Sequence, residues 1–368
     1  MDIATCRQDP HQLLHRFSGP RPTKAFRENI LNTRTPRLTV GIAAAVTAAT
    51  LGLASFNAGA QTRLRIAGNF TLAHSSTLGI EQFKKGVESA TKGAVIIETF
   101  PNMQLGGAQE NVTQTRAGTI AMTWVGMAFL SRTVPELEAV SLPFLFPTRE
   151  IAFKVIDGPV GELLDQKLKD KGFISLGFME LGSRQVTNSV RPIKTIADLK
   201  GLKIRLQPNE THLATFRALG ANALAMDIKE VYSAMQQRVI DGHENPYNLI
   251  LDSRFFEVQK YLSNTGHFFD FISIVGHRKT FESLKPDQQA IIRDAMKTAV
   301  GVQRSVAARL DAEALAELQK RGMQYDALPA SEIAAMRKAT AGVVEDVKKR
   351  VGAQLVDRVL AEVKKAGG

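Results

Sequence analysis

Two hydrophobic periods alternate along this chain, and the switches between them mark its elements. Arg63–Ala67 is a short, apolar-rich run that predicts a buried strand. From Ser75 to Thr91 the apolar positions Ile80, Phe83 and Val87 recur at helical spacing. A strand over Ala94–Phe100, a helix over Gly107–Ala117 and a strand over Thr119–Val125 follow. This β-α-β-α-β alternation predicts a parallel sheet covered by helices on both faces. A long helix over Arg149–Lys171 and a strand over Phe173–Glu180 extend it.

The pattern then resets. Pro192 sits in the turn-rich stretch Asn188–Lys194, and a second α/β unit begins beyond it. Its elements are a strand over Gly201–Leu206, helices over Glu210–Leu219 and Lys229–Gln237, and a strand over Val239–His243. Asp287–Arg321 reads as one continuous helix, with Pro286 at its start and Gly322 as a left-handed stop. Such a helix spans roughly 50 Å, which suits a brace across two bodies better than an element of one. Helices near Ser331–Arg350 and Ala353–Lys365 end the chain.

Composition changes this picture mainly at the N-terminus. Arg34 and Arg37 precede an apolar stretch, Leu38–Phe56, which Ala58-Gly-Ala60 closes. A basic flank, an apolar centre and a small-residue end predict a secretory signal cleaved after Ala60. No twin-arginine pair is present, so general secretion is expected. The polar stretch 1–30 is unusual ahead of such a signal, and translation is expected to start near Leu31. Cleavage would carry away the only cysteine, Cys6, leaving a chain without thiol chemistry or disulfides. The formal charge of +11 does not point to nucleic acid, because basic residues are spread along the chain and interleaved with acids. With 44% hydrophobic residues over 368 positions, a sizeable core is expected.

The candidate chemistry is that of anion capture. Arg205 ends a short strand whose Leu202 and Ile204 face the other way, and Gln207 and Asn209 follow at the start of a helix. A guanidinium beside free helix N–H groups makes an anion site. Arg184 lies where the chain passes between the two units and could touch ligand or form a hinge ion pair. Asn245 follows Asp241-Gly-His-Glu, its amide able to donate to a carboxylate. In the first unit, Asn69 and His74 follow the first strand, and Trp124 ends the third. A helix cap suits His74 equally well, and core packing suits Trp124. His243-Glu244 begins a zinc-type pattern that Tyr247 breaks. No nucleophile elbow and no metal-spaced histidines favour an enzyme.

Three stretches together resemble the receptors of tripartite ATP-independent periplasmic (TRAP) transporters: Gly182-Ser-Arg184-Gln-Val-Thr-Asn188, Leu199-Lys-Gly-Leu-Lys-Ile-Arg205 and Asp241-Gly-His-Glu-Asn-Pro246. The loop Phe100-Pro-Asn-Met-Gln-Leu-Gly106 is similar as well, and the likeness runs from Arg63 to Val363. The resemblance implies a two-lobed periplasmic-binding-protein-like α/β fold with two mainly parallel or mixed sheets. Residues 62–182 and 271–310 would form the first lobe, and 183–270 and 311–365 the second, bridged by the helix 287–321. It implies a periplasmic protein that binds a small carboxylate and delivers it to a permease of one large and one small membrane subunit; a monomer without a cofactor is expected, and whether a metal helps to bind the ligand stays open. Arg205, Arg184 and Asn245 would hold the ligand, with Gln207, Asn209, Asp227, Asn69, His74 and Trp124 around it. Gly126 and Ala108 stand where the sialic-acid branch carries acidic groups, so an amino sugar acid is not expected. A sensor that presents its closed form to a signalling receptor would share this fold and site, and a small-acid enzyme is a further alternative.

Overall fold

The computed structural model describes residues 61–368. The expected secretory signal, its expected cleavage after Ala60, Cys6 and the expected start near Leu31 all fall outside the described residues. The chain first lays down β1 (Thr62–Gly68), α1 (Ser75–Ala90), β2 (Val95–Phe100), α2 (Ala108–Ala117) and β3 (Met122–Gly126). α3 (Arg149–Ile156), α4 (Pro159–Asp170) and β4 (Phe173–Ser183) complete this first pass. The expected single helix over 149–171 is two helices. Pro159 cannot donate to the preceding turn, and Asp157 and Gly158 turn the chain between them.

Past Ser183 the chain enters a second sheet through β5 (Gln185–Asn188), β6 (Lys203–Leu206), α5 (Glu210–Ala218), β7 (Asn222–Ala225) and α6 (Ile228–Gln236). β8 (Gly242–Asn245), α7 (Tyr247–Asp252) and β9 (Tyr261–Asn264) follow. β8 starts three residues and ends two residues later than expected, so Asn245 is its last residue rather than a turn residue beyond it. The chain returns through β10 (Phe269–His277) and α8 (Arg278–Glu282) to α9 (Pro286–Lys320). β11 (Gln324–Ala327), α10 (Ala330–Ala339), α11 (Ala341–Val351) and α12 (Ala353–Ala366) close it.

The two sheets have strand orders β2-β1-β3-β10-β4 and β11-β9-β5-β8-β6-β7. The first was expected parallel, yet it is mixed: β10 enters on the return crossover and lies antiparallel between β3 and β4. The apolar run of β10 had no element assigned to it in the sequence pattern. The second sheet is also mixed, with β6 parallel to β7 and β8, and β5 antiparallel to β8.

α9 packs its N-terminal half on α1 and β4 and its C-terminal half on α7. Gln303, fully buried, holds the first of these contacts. It donates to Ser75 and to the Glu180 carbonyl and accepts from the Glu180 N–H. Asp311 holds the second by accepting from the Asn248 N–H at 3.2 Å. The C-terminal helices part from expectation. α11 and α12 were assigned to the second lobe, but Val343, Val347, Val356, Val359 and Val363 join a core with Leu137, Ile151, Val155 and Leu164 of the first. The valine stripe of α12 repeats at helical spacing and fits the apolar face of α3. No helix of the described residues is long and apolar enough to cross a membrane.

Candidate functional site

The strands that carry candidate residues point their C-terminal ends at one another. In the first lobe β1 ends at Gly68, just before Asn69, and β3 carries Trp124 and ends at Gly126. In the second, β6 carries Arg205 and leads into Gln207, and β8 carries His243, Glu244 and Asn245. The ends meet: a Cβ added at Gly126 would lie 2.7 Å from the Gln207 Nε2 of the opposite lobe. The open ends of parallel strands and the crossover between sheets are where α/β proteins place ligands.

Arg205 is fully buried. Its Nε and Nη2 both donate to the Met226 carbonyl, at 2.8 and 2.6 Å. Its Nη1 has no partner, and no carboxylate among the described residues forms an ion pair with it. Burial pulls its pKa down to about 10, opposed by the field of Glu244, so it remains a cation at neutral pH. A buried cation without a direct ion pair is costly, and a bound anion would relieve that cost.

Arg184 is buried as deeply but is already committed. It donates to Glu244 through Nε and Nη2, to the Glu244 carbonyl at 2.7 Å, and to Asn245 Oδ1 at 3.0 Å. Its Nη1 reaches Asp270 at 3.3 Å. Burial alone would push the Glu244 carboxyl up, but the charge and hydrogen bonds of Arg184 overturn this and hold it well below the ordinary range. His267 adds a contact to Glu244 at 3.0 Å. The Arg184 N–H also donates to the Phe268 carbonyl, so this network ties together the two strands of chain that cross between the sheets.

Several candidate residues of the two lobes carry buried polar atoms that lack partners. Asn69 Oδ1, His74 Nε2, Trp124 Nε1, Gln207 Oε1 and His243 Nε2 are all of this kind. His74 also caps α1, accepting from the Ser76 N–H at Nδ1, and stacks on Phe70 at 4.5 Å. Trp124 fills the space beside Gly68, where an added Cβ would come within 2.4 Å of its ring. Asn209 caps α5 by accepting from the His212 N–H, and its amide donates across to Ser131 at 3.2 Å. Asp227 is half-buried and spans the lobes differently: it caps α6 and accepts from the Gln109 N–H at 3.1 Å. Asn245 is turned to Arg184 and His243.

Sequence reasoning weighed His243 and Glu244 only as the start of a zinc-type pattern and did not count them among the site residues. His243 pairs in register with Arg205 on the neighbouring strand. Its signal was available, since it shares a strand face with Asn245 two residues on. Burial pushes His74, His212 and His243 down to about 3, so all three are neutral at physiological pH. Among the described residues no group of three or more His, Cys, Asp or Glu is placed to hold a metal ion.

Comparison with known proteins agrees with this architecture. The family model described as bacterial extracellular solute-binding protein, family 7, matches residues 67–350. The chain belongs to that family, the DctP-like solute-binding proteins of TRAP transporters. Members of the family are periplasmic transport-binding proteins. The 2,3-diketo-L-gulonate-binding periplasmic protein of Escherichia coli is 37% identical over 249 residues, covering 67% of this chain and 76% of that relative. The C4-dicarboxylate-binding periplasmic protein of Rhodobacter capsulatus is 29% identical over 285 residues, covering 77% and 85%. The crystal structure of the sugar acid binding protein of Advenella mimigardefordensis in complex with galactonate superposes with a TM-score of 0.81 at 30% identity. That match covers 83% of this chain and 98% of the other.

Proposed function

We propose that this protein is a periplasmic receptor that captures a small organic acid by its carboxylate, closes its lobes on it, and delivers it to the large and small membrane subunits of a TRAP permease. One observation carries the reading: Arg205 is a fully buried cation whose fork is half occupied by the Met226 carbonyl and whose Nη1 has no partner. A carboxylate meets both needs, charge and hydrogen bonding. The neighbouring Arg184 already has Glu244 and Asp270 and acts as the support of Glu244 and Asn245. The acids named for the relatives, diketogulonate, C4-dicarboxylate and galactonate, favour the same ligand class.

A charge pair of this kind supplies about 4 kcal/mol at an effective dielectric of 20. Micromolar affinity needs about 8 kcal/mol. The difference must come from the rest of the ligand as the lobes enclose it. The cross-lobe contacts of Gln207, Asn209 and Asp227 support such enclosure. Secretion through the leader in residues 1–60 would deliver the receptor to the compartment where it meets its ligand.

Titration calorimetry of the secreted form with galactonate, 2,3-diketogulonate and succinate tests this. At least one acid is expected to bind at micromolar concentration or better, and Arg205→Ala to weaken that binding at least tenfold. An Arg205→Ala protein that binds as well as the parent would show that the anchor lies elsewhere.

A further inference from the structure

Two residues of α9 close a ring of contacts that passes through Arg184 and Asn245. Gln303 accepts from the Glu180 N–H and donates to the Glu180 carbonyl, both at 2.9 Å. Glu180 lies on β4, four residues before Arg184. Arg184 donates to Asn245 Oδ1 at 3.0 Å. From Asn245 the chain runs through Pro246 into α7, where the Asn248 N–H donates to Asp311, back on α9, at 3.2 Å. Asp311 follows Gln303 by eight residues of continuous helix. The two contacts are therefore held about 12 Å apart along a rigid rod. The loop Gly182 and Pro246 also pack together inside this ring: Gly182 has φ +119°, and a Cβ there would lie 3.4 Å from the Pro246 Cβ.

Each tether supplies what the local chain lacks. β4 is an edge strand of its sheet, and the Gln303 amide takes the place of a neighbouring strand at Glu180. α7 starts after Pro246, which has no side chain able to accept from its first turn. The Asp311 carboxylate, partly buried, accepts from both the Tyr247 and the Asn248 N–H instead. An acceptor at this place in a helix contributes about 1 kcal/mol. Asn245 stands two residues before that turn, on the strand next to Arg205. We infer that Asp311 is a positioning residue of the ligand site: it ties the first turn of α7 to α9 and so holds the Asn245 amide in register with Arg184. It acts through Asn245, whose amide is then oriented before ligand arrives, so that binding does not have to order it. This rests on the carboxylate reading above, which places the ligand at these strand ends, and adds to it a residue of the long helix.

The test is a double-mutant cycle read by titration calorimetry of the secreted form, with whichever of galactonate, 2,3-diketogulonate and succinate the parent binds most tightly. Asp311→Leu removes the acceptor and is expected to lower affinity about fivefold or more. Asp311→Asn keeps an oxygen in place and is expected to stay within about twofold of the parent. In an Asn245→Ala background, Asp311→Leu is expected to change affinity by less than about twofold, because the group it positions is already gone. A general loosening of the fold would weaken binding alike in both backgrounds, so equal losses overturn the inference, as does unchanged affinity in Asp311→Leu. Should Asp311→Leu fail to fold, Asp311→Glu, which displaces the acceptor by one methylene, takes its place in the cycle with the same expectations. Arg205→Ala, run alongside, separates the two readings. If it binds as well as the parent while Asp311 and Asn245 remain coupled, the anchor at Arg205 is overturned and the positioning by Asp311 stands. If no acid binds the parent, both are overturned.

Discussion

Arg184 and Arg205 are the same side chain in two electrostatic situations, and the difference decides what each can do. Arg184 spends its fork on Glu244, Asn245 and Asp270. Removing it would strand Glu244 as a buried, unpaired carboxylate, so Arg184→Ala is expected to cost about 3–5 kcal/mol of stability. Chemical denaturation of the ligand-free protein measures this, and a loss well under 1 kcal/mol would contradict the pairing. Arg205 has a carbonyl and no counterion, so its replacement is expected to show in ligand affinity. Even Arg205→Lys should lose at least tenfold, because an ammonium cannot hold the Met226 carbonyl and a carboxylate in one plane. The buried histidines set the pH response. His74, His212 and His243 are held near 3 against an ordinary 6.5, so the unfolded chain takes up protons first as pH falls. Each is expected to cost about 2 kcal/mol of stability between pH 7 and pH 5. Burial raises Asp252, Asp270 and Asp311 to about 6, which acts in the opposite sense over a smaller shift. The melting temperature is therefore expected to fall from pH 7 to pH 5, and His212→Asn to flatten that slope.

At the scale of elements, joints between helices and strands are where small residues matter most. α3 and α4 meet at a turn so tight that a Cβ at Gly161 would fall 1.9 Å from the Ile156 carbonyl oxygen. Backbone cannot yield as a side chain can, so Gly161→Ala is expected to destabilise by about 1–3 kcal/mol, read from the denaturation midpoint. The strand ends lining the cleft obey a similar constraint. Gly68 lets the Trp124 ring lie directly on β1, which fixes the position of Asn69 one residue further on.

For the whole molecule the question is what holds the lobes together. Near the start of α5, Thr211 donates to Glu138 of the first lobe, and Arg350 of α11 bonds to both. Because α11 packs on the first lobe, its Arg350 reaches across to the second. Across the cleft, Asp227 faces Gly107, and Lys229 pairs with Glu110 at 2.9 Å. The last pair is exposed and contributes little. Gly107 is a sharper probe. It has an ordinary negative φ, so a side chain there strains nothing locally, yet its Cβ would come within 2.7 Å of Asp227. Gly107→Val is expected to weaken ligand binding several-fold and to enlarge the radius of gyration of the ligand-bound protein in solution scattering, with the ligand-free melting temperature nearly unchanged. An unaltered affinity would mean that this contact plays no part in enclosing the ligand.

The sequence by itself determined the most strongly patterned elements and the class of the molecule. Periodicity placed β1, α1, β2, α2 and α9 to within a residue or two, because each has one apolar face and clear end signals, such as Pro286 and Gly322 for α9. The stretch around Arg205 and the block 241–246 pointed to the family on their own. What only the tertiary structure decided was pairing across distance. No local pattern could insert β10 between β3 and β4, bring α11 and α12 to the first lobe, or put His243 beside Arg205, for each depends on which surfaces meet after the chain has crossed between sheets. The contrast between the two arginines is of the same kind. A buried guanidinium is satisfied or unsatisfied according to the carboxylates folded against it, and Glu244 is sixty residues away from Arg184 in the chain.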